Sequence, residues 1–405
     1  MKTAFYTLLA TGWLAAAPAL AQTSLTFTPL AGLPDGGRYG MGYAANAAGL
    51  YMVGGGSPAA SFNADAYVYA FGSNLWLPSP SSGSFAARRW PNLVPLAPTS
   101  DSLYILNGAG AAGVSAALEV GSAATGALVS TTTNPSPRSY AGAVAWNRCL
   151  CTFGGSDGAA TFSNQLRSFN PATSTWATLA PLPEAKETRG AVVNGRIFVF
   201  GGYTGTANSA RVDAYDIATN QWQALGALPT TVSNQAVAVQ GEWVWLVGDF
   251  TNQSYLAAYN TRTQQLRTFT SNLPPRRNAA AAVVGNRLYV WGGNTAASNA
   301  STLADLWSAD VGFLVLSMRP TAAAPQVAAH PNPSAAGRYT LALPAAQAGW
   351  HLTVRDAAGR VVRHLAVPPR QPAPTLDLAD QPAGFYLLRA ETPGRPAAQC
   401  RLLRE

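Results

Sequence analysis

Residues 197–202 read Ile197-Phe198-Val199-Phe200-Gly201-Gly202, a β-branched and aromatic run that ends in two glycines. The phrase returns as Leu50-Tyr51-Met52-Val53-Gly54-Gly55, as Leu150-Cys151-Thr152-Phe153-Gly154-Gly155 and as Leu288-Tyr289-Val290-Trp291-Gly292-Gly293. Two degenerate copies fill the gaps, Leu103-Tyr104-Ile105-Leu106-Asn107-Gly108 and Val244-Trp245-Leu246-Val247-Gly248-Asp249. The last members fall at 55, 108, 155, 202, 249 and 293, so the spacings are 53, 47, 47, 47 and 44. A period of this length marks repeated supersecondary units that bury their apolar faces on one another.

Each period carries further marks. Trp76, Trp176 and Trp222 lie 21, 21 and 20 residues past their glycine pairs, with Leu128 and Leu266 standing in for them in the degenerate copies. A basic residue precedes the first run of several copies: Arg38, Arg138 and Arg277, with Lys186 in the fourth and Arg89 placed approximately in the second. Four short strands per unit describe one blade of a β-propeller. The glycine pair suits strands that converge near the axis, and the tryptophan suits a wedge between neighbouring blades. These features resemble the kelch repeat, from Gln22 to Gly312. The resemblance implies an all-β chain: a six-bladed kelch-type β-propeller over residues 22–316.

The last copy has its glycine pair and a third strand but no fourth strand with a tryptophan. At the other end, Phe27-Thr28-Pro29-Leu30-Ala31-Gly32-Leu33-Pro34 matches the fourth strands that begin at Trp176 and Trp222, with seven residues from aromatic to proline in each. Residues 24–30 are therefore expected to be the outermost strand of blade six, which would remove an open sheet edge.

Composition agrees with short strands and tight turns. Charged residues are only 11% of the chain, against roughly 25% in an average soluble domain, while Gly (38) and Pro (29) are abundant. The net charge of +8 forms no basic stripe with interleaved aromatics, so nucleic-acid binding is not expected. Cys149 and Cys151 share one face of a strand and read as packing residues, and Cys400 has no obvious partner. Lys2, the apolar stretch from Ala4 to Ala16, and Ala19-Leu20-Ala21 form a signal peptide over residues 1–21, cleaved between Ala21 and Gln22. No other segment reads as a transmembrane span.

After Leu316 the composition shifts to Ala, Pro and Arg; residues 317–327 read as a linker and 328–405 as a small antiparallel β-sandwich. His330-Pro331-Asn332-Pro333, the hairpin Asp356-Ala357-Ala358-Gly359-Arg360, the strand Pro382-Ala383-Gly384-Phe385-Tyr386 and the basic-apolar tail occur in order. Together they resemble the C-terminal sorting domain of type IX secretion cargo. That resemblance implies type IX secretion machinery as a partner, a removable tag, and a protein released or attached at the outer cell surface. A plain immunoglobulin-like module is the competing reading.

All three histidines, His330, His351 and His364, fall in this tag. The propeller thus offers no histidine general base, no Ser-His-Asp triad and no imidazole ligands for zinc or for the copper of galactose oxidase-type propellers. No phosphate-cradling loop occurs, and neither metal nor cofactor is expected. The binding candidates are Arg38, Arg89, Arg138, Lys186 and Arg277, read as a broken ring at the channel mouth where an acidic sugar or acidic peptide would dock. The other reading of these cations is structural, as caps on backbone carbonyls inside each blade. Asp249, which replaces a near-axis glycine, would bind a hydroxylated ligand or act as a base, or else is drift in a degenerate blade. Trp90 and Phe250 are candidates for stacking on sugar rings. The expected function is an exported binding module for a glycan or protein. Two alternatives stand beside it: a sugar-active enzyme resembling the kelch propellers that interconvert sialic acid anomers, and a purely structural role. A convergent arginine and carboxylate in the channel mouth would favour the enzyme.

Overall fold

The computed structural model describes residues 23–316 and 327–405, apart from 81, 98–99, 124–126, 159, 344–348, 358, 370–372 and 393–397. The expected signal peptide, with its expected cleavage between Ala21 and Gln22, lies outside the described residues, as does nearly all of the expected linker. The chain divides into two compact units, Met1–Val315 and Leu316–Glu405.

Among the described residues the first unit contains six main sheets, the first four each of four antiparallel strands, and a two-stranded hairpin of Ala109–Gly110 with Gly113–Val114; the fifth and sixth sheets each take an outer strand from the leading segment. The innermost strands of the six sheets are Gly42–Ala45, Asn92–Pro95, Gly142–Trp146, Glu187–Val193, Ala236–Gln240 and Ala280–Val284. Each packs beside the next, and Ala280–Val284 packs beside Gly42–Ala45, so the ring is closed around a channel. The core lies in the wedges between adjacent sheets. Ile197, Val199 and Tyr215 of the fourth sheet, for example, pack on Val144, Cys151, Phe153 and Leu166 of the third. Burial pushes the Cys151 thiol up to about 12, in keeping with a packing role.

Two of the three recurring tryptophans make a hydrogen bond between sheets. Trp222 Nε1 donates to Ala180 O at 2.8 Å, and Trp76 Nε1 donates to Ala31 O at 3.1 Å, each reaching the segment that follows the preceding sheet's outer strand. An indole of about 200 Å² is worth roughly 5 kcal/mol of burial at about 25 cal/mol per Å², so a wedge without it loses a large share of its cohesion.

The glycine pair has a more specific cause than convergence on the axis. Gly55 N donates to Arg88 O at 2.8 Å, Gly155 N to Lys186 O at 2.8 Å and Gly293 N to Arg38 O at 2.8 Å. Each of these bonds joins one sheet to the lead-in segment of the next. Gly55 has φ +90°, and a Cβ there would lie 2.7 Å from Tyr39 O. A side chain would therefore meet backbone, and the left-handed conformation disfavours one as well.

The strand expected over residues 24–30 is in fact two. Thr28–Leu30 pairs antiparallel with Leu306–Asp310 as the outer strand of the sixth sheet. Thr23–Leu25 instead pairs parallel with Leu266–Ser271, the outer strand of the fifth. The step between them is fixed at Phe27, whose ring is buried. Phe27 N donates to Asn272 Oδ1 at 2.7 Å, and Asn272 Nδ2 donates to Phe27 O at 2.9 Å. One segment thus covers two sheet edges.

The second unit is a sandwich. The strands Ala328–His330, Arg338–Ala342 and Thr375–Asp377 form one sheet, and Trp350–Asp356, Val361–Val367, Gly384–Glu391 and Ala398–Arg404 form the other. Tyr339 and Leu341 of the first meet Leu352, Val354, Leu388 and Leu402 of the second in one core. Asn332 of the Pro-Asn-Pro opening clamps the last strand, donating from Nδ2 to Arg401 O at 2.7 Å and accepting from Leu403 N at 2.9 Å.

Candidate functional site

The broken ring of cations resolves into two layers one residue apart. The inner layer is buried and structural. Arg38, Arg88, Lys186 and Arg276 are all at or below 1% exposure. Arg276 reaches Asp305 with both Nη atoms, at 3.0 and 2.9 Å, and donates to Gly292 O at 3.1 Å. Arg38 repeats the pattern with Asp65 and Gly54 O, and adds Asp35. Arg88 pairs with Glu119, and burial lowers its guanidinium to about 10, still charged at neutral pH. Lys186 Nζ lies 3.2 Å from Glu184 and 3.8 Å from Asp213. Each cation pairs with a carboxylate, and the three arginines also donate to a carbonyl. The fifth sheet has Val232 in this row, so charge is dispensable where the acid is absent too.

This corrects the ligand-binding reading of Arg38 and Lys186, which face no solvent. It also corrects the register of two others, since Arg88 and Arg276, not Arg89 and Arg277, occupy the row of Arg38. Arg138 shares the row but is half-buried and donates from Nη1 to its neighbour Pro137 O. Asp249 is likewise structural. It is 1% exposed, and its carboxylate accepts from Ser233 N, Thr251 N and Asn252 N at 2.6, 2.9 and 2.8 Å, so its lone pairs are used to hold the turn.

The outer layer is the residue after each cation: Tyr39, Arg89, Ser139, Glu187, Ser233 and Arg277. Four of these bridge to the loop beyond their own glycine pair, as in Tyr39 with Gly56 and Arg89 with Ala109. Next comes a collar of left-handed residues, among them Trp90 (φ 56°), Tyr140 (φ 52°), Asn234 and Asn278. Backbone bonds link them around the mouth: Trp90 N to Gly40 O, Gly40 N to Asn278 O and Asn278 N to Asn234 O. A bulky residue rarely takes this conformation, and such strain persists where the surroundings enforce it. Here the two rings stack at 3.9 Å between centroids, and the Trp90 indole lies over Gly40, where a Cβ would come within 2.7 Å of Nε1.

Arg89 is the centre of this layer. Its Nη1 donates to Tyr39 Oη at 2.6 Å, and Tyr39 Oη donates on to Asn299 Oδ1 at 2.8 Å. Its guanidinium carbon lies 4.4 Å from the Trp90 ring centroid and 4.8 Å from that of Phe62. In the lead-in of the sixth sheet, the Arg277 guanidinium carbon sits 4.1 Å from the Phe250 ring centroid, a ring that is 47% exposed.

Glu187 and Arg189 complete the site and were not singled out from sequence. Glu187 accepts from Ser156 Oγ at 2.6 Å, and burial raises its carboxyl above the usual glutamate value despite that bond and Arg189. Arg189 donates from Nη1 to Ala141 O at 2.6 Å, and burial lowers its guanidinium. Tyr140 is raised, first by burial and then by Glu187. The signal was a gap. Arg38 to Gly42 and Arg88 to Asn92 span four residues, whereas Lys186 to Arg189 spans three, since Gly42, Asn92 and Arg189 all pair with the residue before the glycine pair or its variant. Arg189 therefore stands where the other blades have Gly, Asn or Ala.

Below the collar the channel has a volume of about 650 Å³, from Tyr43 and Arg189 to Ala47, Ala97 and Gly285 at the far end. Tyr43 crosses it: Val237 N of the fifth sheet donates to Tyr43 Oη at 3.0 Å. Burial raises the Tyr43 phenol, with Arg189 opposing. Among the described residues no three metal-ligating side chains converge, and no helix is long and apolar enough to cross a membrane.

The Kelch motif matches residues 137–183 and 187–229. Kelch-like protein terF of Aspergillus terreus is 31% identical over 152 residues, which is 32% of this chain and 32% of that protein. Beta-scruin of Limulus polyphemus is 28% identical over 148 residues, 34% of this chain and 16% of that protein. The chain thus matches a third or less of the length of these relatives. The solved structure of YjhT superposes with a TM-score of 0.58 at 13% identity, over 68% of this chain and 95% of that one. That likeness is one of fold alone.

Proposed function

We propose that this kelch-repeat propeller binds an anionic, hydroxylated ligand, an acidic sugar of a glycan or an acidic peptide, at the mouth of its channel. The observation that carries the reading is Arg89, partly exposed and held on Tyr39 Oη between the Trp90 and Phe62 rings. A forked cation on an aromatic platform suits a carboxylate on a ring-shaped or peptide ligand. Screening the full chain on glycan and acidic-peptide arrays tests this. Arg89→Ala should weaken the best ligand at least tenfold, and binding untouched by that change contradicts the reading.

Glu187 favours a second reading, a sugar-active enzyme. A carboxyl raised by burial and hydrogen-bonded by Ser156 beside Arg189 suits proton transfer to and from a sugar hydroxyl. NMR exchange between sugar anomers, fast with the wild-type chain and reduced to background with Glu187→Gln, would support it. The raised carboxyl also sets a pH dependence. Between the usual glutamate value and the raised native one, the folded state holds a proton that the unfolded chain has lost. Stability contributed by this group is full below that window and falls as pH rises through it. Thermal melts of Glu187→Gln should lack that decline.

The second unit is proposed to be a removable sorting domain for type IX secretion, and the protein to be exported to the outer surface or medium. The ordered motifs and the Asn332 clamp support this. The secreted form should lack residues beyond roughly Pro325 by mass measurement, and a secreted form retaining Glu405 contradicts it.

A further inference from the structure

We propose that the junction between the first and second sheets is a binding site for a small planar aromatic molecule of indole size. In most sheets one position of the third strand is aromatic and pairs across the ladder with an aromatic or leucine of the fourth: Tyr69 with Trp76, Phe169 with Trp176, Tyr215 with Trp222 and Tyr259 with Leu266. Each set faces the preceding sheet, as Tyr69 and Trp76 do toward Tyr289 and Trp291. In the second sheet the pair is Gly121 with Leu128. Both rings are missing at one place.

The space they leave is only partly refilled. Phe85 swings to within 3.4 Å of where a Gly121 Cβ would sit. A cavity of about 270 Å³ remains, walled by Val53, Ala66, Val68, Phe85, Leu103 and Ile105. Among the described residues it reaches the rim at Leu77 and Pro78, of which Leu77 is 49% exposed, which gives an occupant a way in. Dry apolar cavities of about 150 Å³ admit benzene. The occupant is aromatic rather than a flexible chain because the equivalent wedges hold stacked or tilted rings, with Tyr69 and Trp76 at 5.4 Å and 51°, and Tyr215 and Trp222 at 5.2 Å and 44°.

The test titrates the full chain with indole by calorimetry, with Ala66→Leu, which fills the space from the first sheet's wall, and Leu128→Trp, which restores a ring at the partner of Gly121. The wild type should bind indole saturably at one site. Both variants should bind at least tenfold more weakly, and Leu128→Trp should melt higher than wild type without indole. Absence of saturable binding to the wild type overturns the proposal. So does binding undiminished in Ala66→Leu, the variant that decides the matter if Leu128→Trp does not fold.

Discussion

Deleting residues 22–31 lowers the melting temperature by about 10 °C or more. The segment completes the sixth sheet through Thr28–Leu30 and extends the fifth through Thr23–Leu25, so its loss bares two edges. Phe27 and Leu25 are 2% and 6% exposed, and emptying a buried Phe site alone costs about 3–5 kcal/mol. At roughly 2 °C or more per kcal/mol for a domain of this size, the shift is well outside error. Phe27→Ala should reproduce a large part of it, and Asn272→Ala a smaller part. Melts by circular dichroism decide, and an unchanged midpoint for the deletion contradicts the latch.

Breaking one buried ion pair of the inner layer destabilises by about 3–5 kcal/mol, whereas replacing both members with apolar residues is close to neutral. Glu119→Leu leaves Arg88, 1% exposed, facing no counter-charge in a closed wedge. Arg88→Met with Glu119→Leu removes the stranded charge. The fifth sheet has already made this exchange, with Val232 in the cation row and Tyr255 where Asp65 and Asp305 stand in their sheets. Urea titrations of the single and double variants measure the difference. A Glu119→Leu chain as stable as wild type would show that the pair carries no structural load. Neither change should alter ligand binding at the mouth, which separates the two layers experimentally.

The fold was legible because the glycine pairs, the tryptophans and the leading Phe27 segment recur in register with the repeat, and each takes part in a contact between sheets. The site was less so, for two physical reasons. A one-residue slip in the cation row moves a side chain from inside a blade to the channel mouth. Two pairs of adjacent arginines, Arg88-Arg89 and Arg276-Arg277, gave no way to choose between the layers. Glu187 and Arg189 were hidden by the shortened lead-in of the fourth sheet, which only strand pairing reveals. Asp249 looked like a free carboxylate near the axis because its three backbone donors, from Ser233, Thr251 and Asn252, come from two loops.

The most direct test follows the arginine Nε–H signals in nitrogen-correlated NMR spectra while an acidic sugar that binds is titrated into the chain. The account predicts that Arg89 and Arg189 shift with ligand while Arg38, Arg88 and Arg276 stay fixed. Movement of the buried three, with Arg89 and Arg189 unmoved, would contradict it.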